Sequence, residues 1–399
     1  MLPDIKYRIY TPDEWTERTQ WGEILEKIEA APRQVIILEG DRGVGKTYLL
    51  MHLFEYYQRD PKVSPFFIGL DKYEAPHFLN ANNFWQSVER KFQPEDVKDL
   101  LEKIAKYLEV KDFQALDDEN KSEYLAKQLA QAQREQRLLV LVDSIYECTD
   151  DIRQQVEQNI LKPLLSSNQI TIILSGRGRR PVWINPEFRN ATIIPLQPEG
   201  KKFVSQQLEK MRSKHVSEAQ KIFEWSDGCP LVVRLLGKSD AVNRDALGRA
   251  IDVLIRDSLP EKIEGLQYEE IRRGIEKLAL FNDSAYRELE IAGYLYPDVS
   301  APESRTKTKK LVNVLLESAL LQWDEDQGGL VLNKTIAHTL QKWFEVEEGQ
   351  QTFQEYSEVW EQTAKNLAAK YAIEPQKLLG KMTRLDRMSY NDIVTNVTH

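Results

Sequence analysis

A chain of 399 residues has the length for two to four domains, each able to bury a core, and nothing in its composition predicts disorder. Its formal charge of −9 is moderate and spread out, which excludes a basic footprint of the whole molecule for non-specific nucleic-acid binding and leaves only local clusters to weigh. Cys148 and Cys229 are the only cysteines, too few for a disulfide framework or a zinc site, and no run approaches the roughly 18 apolar residues of a membrane span, so a cytoplasmic protein without membrane contact is expected.

Residues 1–33 carry an amphipathic segment, EWTERTQWGEILEKIEA, with Trp21, Ile24, Leu25 and Ile28 on one helical face. It is too short to form a domain of its own. The β-branched run Val35 to Leu38 then ends in Gly40-Asp-Arg-Gly-Val-Gly-Lys46-Thr47 and passes into a helix expected to reach about Arg59. This is the phosphate-loop pattern G-x-x-x-x-G-K-[ST] in the context it requires, strand before and helix after. Gly40, Gly43 and Gly45 let the backbone curl until several N–H groups converge on one phosphate, and the helix N-terminus adds partial positive charge. Lys46 is expected to reach the β- and γ-phosphates, and Thr47 to offer its hydroxyl to Mg²⁺. The nucleotide-contacting stretch is therefore Gly40, Gly43, Val44, Gly45, Lys46, Thr47 and Tyr48. The alternative is a glycine-rich turn that binds nothing.

Ser64 to Asp71 is expected as a second buried strand, and Asn83 to about Gln136 as charged helices. Arg137-LLVLVD-Ser144, Thr171-IIL-Ser175 and Ala191-TIIPL-Gln197 follow as further apolar runs, with a helix DDIRQQVEQNILKPLL between the first two. Runs without alternation suit strands covered on both faces. Together they predict an α/β fold, a doubly wound, parallel, five-stranded P-loop NTPase sheet over residues 34–198, with its ligand at the carboxyl ends of the strands. Asp143 ends one such strand, where its carboxylate would hold Mg²⁺ through water. Glu147 is the nearest acid able to orient an attacking water, the alternative being a solvated loop acid; an acid directly after Asp143 would be a stronger signal, and Ser144 stands there instead. In SGRGRR, Arg177 emerges beside the site, where its planar fork can grip a γ-phosphate and release it. A basic surface loop is the competing account, and for Arg179 and Arg180 the better one.

After Pro198 the strands stop, and residues 199–262 are expected as a helical domain in which Asp227-Gly228-Cys229-Pro230-Leu231 opens a helix. Residues 263–348 supply three helices and a hairpin, LQWD-EDQGG-LVLN, the pattern of a winged helix, closed by a further helix KTIAHTLQKWFEVEE. Residues 349–399 are expected as a helical tail or the start of a sensor or docking region. The run Ser304-RTKTKK-Leu311 leads into the helix that would enter a major groove. The acidic wing WDEDQGG would repel phosphates.

Over Thr11 to Glu345 these features resemble the signal-transduction ATPases with numerous domains, the STAND class with its NB-ARC and NACHT subgroups. The phosphate loop matches at Gly40, Gly45, Lys46 and Thr47, the acidic strand end at Asp143, and ILSGR resembles the sensor strand with Arg177 at its arginine. The resemblance implies that Arg18, in the leading helix, contacts the nucleotide, and that DGCPLVVRLLG brings Gly228 and Pro230 against it. The spaced acids of DSIYE are closer to the NACHT pattern, with Glu147 at the last acid, which implies slow hydrolysis. Where many members carry a histidine that locks the ADP state, the aligned position is Asn333, with His338 further along the helix. The function implied is a switch using ATP/ADP and Mg²⁺: a closed ADP form exchanges to an ATP form that assembles with itself or with an effector supplied in trans. Two rivals stand beside it. One is a DNA-acting ATPase of the origin-recognition or transposition type using the winged helix; the other is a hydrolysis-inactive nucleotide-binding scaffold. The motifs do not distinguish ATP from GTP.

Overall fold

The computed structural model describes residues 12–70, 78–79, 94–131, 135–146, 148–176, 181–259, 263, 265–281, 284–371, 375–379 and 381. The chain divides into two compact units, Met1–Glu199 and Gly200–His399. The first unit contains α1 (Trp21–Glu29), β1 (Arg33–Glu39), α2 (Lys46–Gln58), β2 (Val63–Gly69), β3 (Phe78–Leu79), α3 (Pro94–Tyr107), α4 (Asp118–Gln131), β4 (Arg137–Asp143), α5 (Asp150–Val156), α6 (Lys162–Leu164), β5 (Ile170–Gly176), α7 (Pro186–Arg189) and β6 (Thr192–Pro195).

The sheet runs β3-β2-β4-β5-β1-β6. Strands β2, β4, β5, β1 and β6 are all parallel, as expected, while the two-residue β3 adds an antiparallel edge to β2 that no periodicity signalled. Along β1 the side chains alternate between two cores. Ile36 and Leu38 pack with Ile24 of α1 and Leu49 and Leu53 of α2, whereas Val35 and Ile37 pack with Ile104, Leu125 and Ile160 on the other face. Burial on both faces is why these strands are written in unbroken apolar runs.

One expectation needs correction in this unit. The stretch DDIRQQVEQNILKPLL is not one α-helix, because a π-helical turn, Glu157–Leu161, joins α5 to α6. Glu157 is fully buried in that turn, and its carboxylate accepts the Asn185 N–H at 2.6 Å. The helix expected near Asn83 lies outside the described residues.

The second unit contains α8 (Lys201–Lys210), α9 (Ala219–Ser226), α10 (Pro230–Gly237), α11 (Arg244–Arg256), α12 (Tyr268–Leu278), α13 (Glu288–Leu295), α14 (Ala301–Glu317), β7 (Leu321–Asp324), β8 (Gly329–Leu332), α15 (Lys334–Glu345), α16 (Glu347–Tyr371) and α17 (Pro375–Leu379). β7 and β8 pair antiparallel, and Tyr286 bridges to Leu330, donating its N–H at 3.0 Å and receiving one at 2.7 Å. One continuous core runs from Val204 to Leu378. Trp360 of α16 is fully buried in it, 4.7 Å from the Phe281 ring and 5.4 Å from that of Tyr294. KTIAHTLQKWFEVEE is not continuous helix either: Val346 turns extended (φ −73°, ψ 139°) and separates α15 from α16. Among the described residues no helix is long and apolar enough to cross a membrane.

Candidate functional site

The carboxyl ends of β4, β5 and β1 lie side by side, and the loop Gly40–Gly45 runs from β1 into α2. Gly43 (φ 83°) and Gly45 (φ 89°) are left-handed, a conformation that a side chain would strain. A Cβ at Gly40 would come 2.7 Å from the Leu196 carbonyl oxygen. Glycine is therefore required at all three positions by the curl itself. Val44 buries its side chain in the core shared with α2. The Lys46 ammonium lies over the loop, donating to the carbonyls of Gly40 at 2.7 Å and Asp41 at 3.0 Å. Thr47 is exposed and Tyr48 partly so, at the start of α2.

Asp143 joins the loop to the sheet. Its carboxylate accepts the Thr47 hydroxyl at 2.7 Å and, on the other oxygen, the hydroxyl of Ser175 at the end of β5. Ser175 in turn accepts the Ser144 N–H at 3.3 Å. Asp143 and Ser144 are both buried, and Ser144 takes a left-handed φ of 63° that swings the chain off the strand. In the sequence Ser175 reads only as a strand end; its role depends on β5 lying next to β4, which no local pattern reveals.

The same is true of Glu39 and Tyr146. The Tyr146 hydroxyl donates to the Glu39 carboxylate at 3.0 Å. Its ring lies over Gly176, where a Cβ would overlap the ring atoms. Glu39 is an acid at the end of an apolar strand, the signal that singled out Asp143, but it is overshadowed by the loop that follows it.

Arg18 meets protein groups around the loop. Its guanidinium donates to the Val44 carbonyl, donates to the Gln197 carbonyl at 3.0 Å, and pairs with Glu199 at 2.9 Å, both side chains being 3% exposed. Glu199 is held further by the Thr19 hydroxyl at 2.9 Å and the Thr19 N–H at 3.3 Å. Next to it, Trp15 stacks on His52 at 3.9 Å, and Trp21 stands 5.1 Å from the same ring. Burial, aided by Arg59, pushes the His52 imidazole down to about 4.

In the second unit, Gly228 is left-handed (φ 69°), and Pro230 starts α10 with its carbonyl accepting from Gln207 at 2.9 Å. Asn333 caps α15, its side chain accepting the Ile336 N–H at 3.3 Å. His338 Nε2 bonds the Glu224 carbonyl of α9 at 2.9 Å. Glu147, Arg177, Arg179 and Arg180 lie outside the described residues.

Strand–loop–helix geometry, the hydroxyl–carboxylate contact and the parallel order β2-β4-β5-β1-β6 decide the fold. The first unit is a P-loop NTPase domain. Residues 14–177, which include the loop and Asp143, match the family model described as nephrocystin 3, N-terminal. Solved structures with similarity include a Walker-type ATPase of Pyrococcus abyssi (16% identity, 84% of this chain and 97% of that one, TM-score 0.47). The RuvB Holliday junction branch migration motor of Thermotoga maritima (15%, 84% and 98%, TM-score 0.38) and Drosophila ORC bound to DNA (14%, 78% and 90%, TM-score 0.35) also align. Comparison with curated proteins finds no match.

The P-loop NTPase domain has the groups for a magnesium-bound polyphosphate. The loop closes only with glycine, as the Gly40 approach demonstrates, and Thr47, Asp143 and Ser175 form a set of hard oxygen donors. Thr47 and Asp143 would hold Mg²⁺, and Lys46 and the N–H groups of Gly43 to Tyr48 would bind phosphate oxygens.

Proposed function

We propose that this chain binds ATP or ADP with Mg²⁺ and acts as a STAND-type signalling switch, hydrolysing ATP slowly. The observation that carries the reading is the Thr47–Asp143–Ser175 chain of hydroxyl, carboxylate and hydroxyl beside a glycine loop. It orients a carboxylate in advance for a cation held mostly by water and phosphate. In the second unit, the order α12, Tyr286 bridge, α13, α14, β7, β8 supports a winged helix. Arg177, Gly228, Pro230 and the winged helix are, by the family resemblance, where nucleotide state would be felt. A nucleotide shifts such a switch only by its difference in affinity for the two arrangements, so an assembling partner, a second copy or a separate effector, must favour the ATP form.

The test is direct. Lys46→Ala should weaken binding of a fluorescent ATP analogue at least tenfold, and Asp143→Ala should remove the Mg²⁺ dependence of binding. Light scattering with a non-hydrolysable analogue and the trigger should record growth in mass; a monomer under every nucleotide and partner contradicts the assembly step. A DNA-acting ATPase is favoured by one observation, the exposed Arg305, Lys309 and Lys310 on α14. Salt-sensitive gel shifts abolished by changing Lys309 and Lys310 would support that reading.

A further inference from the structure

The sequence leaves hydrolysis without an acid beside Asp143. Ser144 is turned left-handed and buried, so position 144 cannot present a side chain to the site as the end of an extended strand would. Glu39 ends β1, and β1 is separated from β4 only by β5. Along β1, Val35 and Ile37 face the core opposite α2, and Glu39 continues that alternation. Asp143 is gripped by Thr47 from the α2 side. The two carboxylates therefore flank the end of β5 from opposite faces of the sheet. Tyr146, three residues after Asp143, spans the gap: its ring covers Gly176 and its hydroxyl donates to Glu39 at 3.0 Å. Only glycine at 176 admits the ring, because a Cβ would lie within 2.5 Å of three of its atoms. The residue after Glu39 is Gly40, whose carbonyl accepts from the Lys46 ammonium at 2.7 Å, so Glu39 is the last residue of β1 before the phosphate loop begins.

We propose that Glu39 orients the water that attacks the γ-phosphate, with Tyr146 as the positioning residue that fixes its carboxylate. The inference rests on the nucleotide-binding reading above and names the base within it. The water oxygen forms a bond to the γ-phosphorus as the bond from that phosphorus to the bridging oxygen breaks. The electron pair leaves on the nucleoside diphosphate, and the water proton passes to Glu39 and from there to the phosphate product or solvent. Strand β1 thus supplies the acid that the Asp143 strand lacks.

The experiment uses the full chain with Mg·ATP. Glu39→Gln should bind ATP within threefold of the wild type yet turn over about 10²-fold more slowly, and bound nucleotide recovered after incubation should be ATP where the wild type yields ADP. Glu39→Asp should regain part of the rate. Tyr146→Phe should lower kcat with KM unchanged, a split that a loss of packing alone would not produce. Wild-type turnover retained in Glu39→Gln, or lost only in Glu147→Gln, overturns the proposal, as does a wild type that binds ATP and never hydrolyses it. A wild type that binds no nucleotide instead refutes the reading beneath it.

Discussion

Arg18 and Glu199 form an ion pair from which water is excluded, and the protein partners of the guanidinium tie the leading segment to the loop and to the strand β6 exit. Removing one member of a buried pair strands the other, so Arg18→Ala should lower stability by about 3 kcal/mol in chemical denaturation. If Arg18 instead serves the nucleotide directly, as the family resemblance implies, ATP affinity should fall while the midpoint stays. His52 offers a pH test. An imidazole pushed from 6.5 down to about 4 is favoured neutral in the fold. Its contribution is complete above pH 6.5 and lost as pH falls through 4, so the melting temperature should decline across that window. His52→Phe should flatten the decline, and tryptophan fluorescence should report it, since Trp15 lies on the ring.

Elements whose identity depends on neighbouring residues in the chain are legible in the sequence alone. The β1 loop and α2 are set by glycine conformation and a fixed spacing, and strands β2, β4 and β5 by apolar runs that two covered faces demand. What the sequence hides is tertiary. The β3 edge has only two residues, the π turn differs from α-helix by one residue in a ladder, and the Glu39–Tyr146 contact joins positions far apart in the chain. Helix α16 is the clearest case. Its charged sequence suggests a peripheral tail, yet Phe353, Trp360 and Ala364 complete the core around Phe281 and Tyr294. Trp360→Ala should therefore cost about 3–5 kcal/mol, read as an earlier urea midpoint of the second unit. A midpoint unmoved by that change would mean that α16 is dispensable. At the loop, Gly40→Ala forces a methyl against the Leu196 carbonyl and should weaken nucleotide binding even where the protein folds.

At the scale of the whole molecule, a P-loop NTPase domain is followed in the chain by a helical unit with its own core, and the proposed switch couples them through bound nucleotide. A ligand that binds only the folded protein raises its stability by about 2.7 kcal/mol at a hundredfold excess over Kd. The decisive measurement is thus the melting temperature of the wild type and of Lys46→Ala, each with and without Mg·ATP and Mg·ADP. A rise in the wild type that vanishes in Lys46→Ala and on chelating Mg²⁺ is the predicted result. No rise in the wild type, or an equal rise in both proteins, contradicts the claim that this loop and Asp143 grip a magnesium-bound nucleotide.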